Sequence, residues 1–104
     1  MARILIGEPD HEVRQLLTFV VARLGHEPIQ SGDADAADVY LFEPAAPACL
    51  ELAQQLRREQ PGLALVALSI NPPCPRTRAL APIRHLMKPF IRSELAAALE
   101  HSSG

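Results

Sequence analysis

The sequence predicts an α/β fold in which an open parallel sheet carries helices on both faces. Three observations lead there. Short apolar runs recur at residues 3–7, 39–43 and 63–69, and runs without polar alternation are what strands buried on both faces require. Between them lie stretches with apolar residues at i, i+3/i+4 spacing, the signature of amphipathic helices. The runs also end in functional side chains, Glu8, Glu43 and Ser69, with Lys88 just beyond a fourth short run. The carboxyl ends of strands are where open α/β sheets gather their chemistry.

The chain has 104 residues, 48% hydrophobic and 21% charged, which suits one soluble domain with a single core. A net charge of −2 gives no electrostatic case for nucleic acid or an anionic membrane. Arg57, Arg58, Arg76 and Arg78 are accordingly expected as solvated charges, not as a phosphate-binding patch. Cys49 and Cys74 are the only cysteines and are expected as reduced thiols, Cys74 an inert one in a loop. Neither a signal peptide nor a membrane-length apolar run is present, so the expected compartment is the cytoplasm.

The elements follow in order. Residues 3–7 make a buried first strand, and Glu8-Pro9-Asp10 punctuates it, with Asp10 as N-cap of the next helix. That helix buries Val13, Leu16, Leu17, Val20, Val21 and Leu24 and ends at Gly25. Residues 27–30 form a weak second strand, which Pro28 places at an edge. Only residues 31–38 then lead into the third strand, too few for the usual crossover helix of a dozen or so residues. A second amphipathic helix follows Pro47, with Cys49, Leu52, Ala53 and Leu56 inward, and Pro61-Gly62 closes it. Residues 63–69 are a buried strand. The prolines at 72, 73, 75 and 82 allow a helical turn or two over 76–81 and otherwise an irregular or mobile segment. Residues 84–87 are the last strand. Ser93 caps a terminal helix with Leu95, Ala98 and Leu99 inward, and residues 102–104 are a polar tail or the start of a linker.

In such a sheet Glu8, Glu43, Ser69 and Lys88 converge on one crevice. Two carboxylates, a hydroxyl and an ammonium make a site fit for a cation and a phosphoryl group.

These pieces, taken together, resemble the receiver domain of two-component response regulators over essentially the whole chain. Residues 4–10 with Val13-Arg14 resemble its first strand and acidic turn. Residues 38–47 resemble its third strand, phosphorylation site and following proline. Leu68-Ser69 resembles its hydroxyl-bearing strand, and Lys88-Pro89-Phe90 its lysine signature. The resemblance implies a flavodoxin-like fold with five parallel strands in the order 2-1-3-4-5. Against it, the helix between the second and third strands is nearly absent, and the one between the fourth and fifth is eroded.

The departures fall on the chemistry. The position of the family's phosphoaccepting aspartate is Glu43, and its adjacent acidic pair falls on Glu8 and Pro9. Its small residue after the switch hydroxyl is Ile70, expected to crowd the crevice. Its switch aromatic is His85, expected as a half-buried strand residue and not as a pH switch. Glutamate reaches roughly 1.5 Å further than aspartate, enough to lose in-line geometry, and proline offers a cation nothing. Asp10 is expected to cap its helix, so Mg²⁺ would bind weakly, through Glu8, Asp10 and Glu43, if at all. A Glu43–Lys88 ion pair is expected across the crevice, either a neutralised relic or a device fixing one conformation.

The expected function is that of a degenerate receiver, a pseudo-receiver with no enzymatic activity and no resident cofactor. It would act by binding protein partners of a signalling pathway, a second copy of itself included, and neither nucleic acid nor membrane. Two alternatives stand beside it. One is a working phosphoacceptor with Mg²⁺ on Glu8 and Asp10. The other is a small-molecule-binding flavodoxin-like module, although no Gly-rich phosphate loop follows any strand. The short crossover should leave one flank thinly covered, exposing apolar surface of the second and third strands as a docking patch.

Overall fold

A computed structural model describes residues 1–81, 84–88 and 92–103. Its sheet contains β1 (Arg3–Gly7), β2 (Glu27–Ile29), β3 (Val39–Phe42), β4 (Ala64–Ser69) and β5 (Arg84–Met87). All pairings are parallel, in the order β2-β1-β3-β4-β5. Helices α1 (His11–Arg23) and α4 (Arg92–Ser103) pack on one face. Helix α2 (Pro47–Glu59) packs on the other, where Leu80, just past the single turn α3 (Pro75–Arg78), joins the same cluster. This is the flavodoxin-like arrangement that the sequence predicts. Pro82, Pro89 with its expected tight turn, Phe90 and Gly104 lie outside the described residues.

Burial on both faces accounts for the unbroken apolar run of β3, whose residues are all 1% exposed or less. Val39 and Leu41 face α1 and α4, and Tyr40 and Phe42 face α2. Leu95, Ala98 and Leu99 of α4 are buried as expected. The helix itself begins at Arg92, which puts Ser93 inside it and not at the cap, and it extends into the stretch expected as a tail.

Helix α1 begins where Asp10 Oδ1 accepts the amide hydrogens of Glu12 and Val13 at 3.0 and 3.2 Å. It ends in a Schellman motif: Gly25 N–H donates to Ala22 O and His26 N–H to Val21 O, with Gly25 at φ +89°. Leu16 departs from the expected stripe and is 54% exposed. Leu17 and Val21 already fill the contact with the sheet, and the next position round the helix turns outward. Phe19 is exposed as well, with the Arg23 guanidinium 6.0 Å over its ring.

The crossover after β2 is a 3-10 segment, Ser31–Ala36, kinked at Asp33. It is pinned by Asp38, whose carboxylate accepts Arg3 N–H at 2.8 Å while its own N–H donates to Arg3 O. The expected exposed strand surface does not appear, because β3 is wholly buried. Tyr40 leans across β1 instead, its ring so close over Gly7 that a Cβ there would lie 2.9 Å from Cε1 and Cζ. Its hydroxyl donates to Cys49 O at 3.1 Å, and the ring stacks on Phe42 at 4.8 Å. The short crossover therefore leaves a cleft beside β1, not a flat apolar patch.

Arg57 corrects a second expectation. Its guanidinium donates to the carbonyls of Pro61, Leu63 and Leu80 at 2.7, 3.0 and 3.0 Å. It is a clamp tying α2 to the chain on either side of β4, since buried carbonyls must find donors. Arg78 donates to Pro73 O in the same manner, while Arg58 and Arg76 are exposed.

Candidate functional site

The chain leaves β1 outward to β2 and returns to β3 on the other side of β1, so the strand order reverses between β1 and β3. Such a switch point opens a crevice at the carboxyl ends of the two strands. The register sets Gly7 beside Phe42, and Glu43 N–H continues the ladder to Gly7 O at 2.9 Å. Glu8 and Glu43 thus leave adjacent strands at one level. Further along the sheet Ser69 is level with Met87, and Lys88 N–H donates to Ser69 O at 2.8 Å. Lys88 then needs its long flexible stem to reach back over β4 to the two acids.

It reaches both. Lys88 Nζ lies 2.6 Å from Glu8 Oε1 and 3.5 Å from Glu43 Oε1. The expected Glu43–Lys88 pair is therefore present but is the looser of two. The tight contact is to Glu8, whose side chain is 5% exposed against 11% for Glu43. Each glutamate's second oxygen is also held: Glu8 Oε2 accepts Asp10 N–H and Glu43 Oε2 accepts Ala45 N–H, both at 3.2 Å. Burial alone would push the Lys88 ammonium down. The hydrogen bond and charge of Glu8, followed by those of Glu43, outweigh burial and hold it above its ordinary value.

The remaining residues of the crevice are turned to structural tasks. Asp10 directs its carboxylate into the α1 cap, as expected, and Pro9 is exposed. Ser69 is 1% exposed and its Oγ accepts Asn71 N–H at 3.1 Å. Ile70 is 68% exposed, so it stands in solvent and does not crowd the crevice. His85 is half-buried; its Nε2 lies 2.9 Å from Asn71 O, and its buried Nδ1 has no partner among the described residues. Cys49 and Cys74 are free thiols.

The residues do not fit a divalent cation of the oxygen-liganded kind, which takes six or more oxygens with carboxylates among them. All four glutamate oxygens already have partners, and an ammonium bridges the two carboxylates. Among the described residues no group of three His, Cys, Asp or Glu could hold a metal ion.

Glu8, Glu43 and Lys88 meet as the sequence predicts, but the shorter contact of Lys88 is to Glu8 and not to Glu43. Nothing in the sequence ranks the two acids: each directly follows its strand, and the central strand of the five is β3, which precedes Glu43. The Arg57 clamp and the Tyr40–Gly7 contact carry no signal in the sequence either.

The topology and this crevice place the chain in the fold of response regulator receiver domains. Among solved structures, a response regulator receiver domain protein from Clostridium thermocellum superposes with a TM-score of 0.84 at 16% identity, over 99% of this chain and 94% of that one. The chemotaxis protein CheY4 of Vibrio cholerae gives 0.81 at 18% identity, over 98% of each chain. The response regulator TrrA of Thermotoga maritima, solved in complex with Mg²⁺ and BeF, gives 0.81 at 18% identity, over 98% and 99%. At these identities the likeness is one of fold. No protein-family model matches the chain, and no curated protein matches it in sequence. Among the described residues, no helix is long and apolar enough to cross a membrane.

Proposed function

We propose that this domain is a receiver-type signalling module that works without phosphorylation, by binding protein partners in a two-component pathway of the cytoplasm. The fold and the order of Glu8, Glu43, Ser69 and Lys88 along it support the receiver reading. The observation that carries the second half is the Lys88 ammonium, which bridges Glu8 and Glu43 where a receiver would need a divalent cation and a phosphoryl group.

Phosphoryl transfer to a carboxylate requires an in-line acceptor oxygen and a cation to neutralise the incoming oxygens. Glu43 has one oxygen on Lys88 and the other on Ala45 N–H. Pro9 supplies no ligand, and Asp10 is committed to its helix. An internal cation thus holds the crevice in one ion-paired arrangement, and the output is whatever surface that arrangement presents. The reading assigns no enzymatic activity to the domain.

Incubation with acetyl phosphate and Mg²⁺, followed by intact-mass measurement, tests this. The expected result is an unmodified mass, also for Glu43→Asp alone, since the Pro9 position still lacks a carboxylate. The double variant Pro9→Asp/Glu43→Asp is the form expected to accept phosphate. Addition of a phosphoryl group to Glu43 of the native protein would contradict the proposal.

A further inference from the structure

A cleft of about 780 Å³ opens beside β1. There β2 stops at Ile29, and its register leaves Ile6 and Gly7 with no partner on that side. The cleft follows from the short crossover, since the 3-10 segment lies against β1 but is too short to cover its carboxyl end. Leu5, Ile29 and Tyr40 line it, with Cys49 and Leu52 of α2 on one side and Arg14 of α1 on the other. Its size and mainly apolar lining are those of small-molecule sites, which run to about 300–1,000 Å³ with a few polar groups that fix orientation.

Of the open polar side chains here, Gln30 and Arg14, the charged one is Arg14. It is exposed, and among the described residues its guanidinium makes no hydrogen bond or ion pair. Arg14 itself lines the cleft, together with Thr18 one turn further along the same helix. Glu8 also borders the cleft, but it is buried, with its oxygens on Lys88 and Asp10 N–H. The first turn of α2 faces the same space, and its N-cap residue Ala46 offers no side-chain acceptor, so that end adds partial positive charge.

We propose that this cleft binds a small amphipathic anion, its apolar body on the part-exposed Ile29 and Leu52 and its carboxylate or sulfonate on Arg14. The site adjoins the crevice at Glu8 and does not depend on whether Glu43 accepts phosphate.

The test titrates the whole chain with anilinonaphthalene sulfonate and with uncharged phenylnaphthylamine, followed by amide nitrogen–proton correlation spectra. The expected result is saturable one-to-one binding of the sulfonate with shifts centred on Arg14, Ile29 and Leu52. Arg14→Gln should weaken the sulfonate about tenfold, the loss of one charge-assisted contact, and leave phenylnaphthylamine unchanged. Ala48→Trp, on an exposed lining position, should block both probes. The proposal is overturned by no saturable shift up to about 1 mM, by shifts centred on Leu16 and Phe19 or on Met87, or by equal sulfonate affinity in Arg14→Gln. Because Arg14→Gln alters only a solvated side chain, that arm stands even if Ala48→Trp fails to fold.

Discussion

The crevice and the cleft lie on either side of the same two residues, Gly7 and Glu8, and they treat charge in opposite ways. In the crevice a cation is bound to two acids, and each acid's second oxygen is held by a backbone amide. In the cleft the Arg14 cation stands open over a mainly apolar lining. The crevice, where the resemblance to receivers points for chemistry, is internally satisfied. The short 3-10 crossover on one flank and the ammonium between the two acids at the sheet end leave the open charged side chain in the cleft and not in the crevice.

Lys88→Ala should have the largest effect of any change that separates the two regions. It strands Glu8, which is 5% exposed, without its counter-charge, and breaking one partner out of a buried pair costs about 3–5 kcal/mol. Urea unfolding should show that loss; a change below about 1 kcal/mol would mean the pair behaves as an exposed one. Within the crevice, Glu8→Gln should cost about 1.5–3 kcal/mol, the scale of a hydrogen bond to a charged group. Glu43→Gln should cost less than about 1 kcal/mol, in line with its longer contact. The reverse order would overturn the assignment of Glu8 as the dominant partner.

The alkaline limb provides a smaller effect. Lys88 is held above its ordinary value of 10.5, so its contribution is fully present below that pH and is lost as pH rises through the higher folded value. The stability difference between native protein and Lys88→Met should be flat from neutral pH to about 10 and shrink above it. Tyr40 and Cys49 are also pushed up, chiefly by burial, but they act in both proteins and cancel in the difference. Smallest of all is Arg14→Ala, expected within about 0.5 kcal/mol of native because the side chain is solvated and unpartnered. A large loss there would remove the contrast between the two cations.

Much of this was legible in the residues. Unbroken apolar runs gave the strands their burial on both faces, and helical spacing with Asp10 and Gly25 as caps bounded α1. Short crossover length and proline spacing marked the eroded helices, and the strand-terminal acids with Lys88 marked the crevice. What escaped was three-dimensional reach. Periodicity counted Leu16 as inward because it cannot sense how wide a stripe the sheet accepts. Arg57 read as a surface charge because its acceptors, the carbonyls of Pro61, Leu63 and Leu80, are set by packing and not by spacing. The crevice pair was assigned to Glu43 because the resemblance drew attention there. The preference for Glu8 is a matter of ångströms that residue order does not encode: Lys88 Nζ stays 3.5 Å from Glu43 on the nearer strand and closes to 2.6 Å on Glu8, one strand further.

The claim that an internal ammonium stands in for a divalent cation is tested most directly by calorimetric titration with Mg²⁺ of the native protein and of Pro9→Asp/Lys88→Met. The account predicts that the native protein binds more weakly than about 10⁻³ M, and that the variant, with a ligand restored and the competing cation removed, binds measurably tighter. Micromolar affinity in the native protein, or no difference between the two, would contradict it.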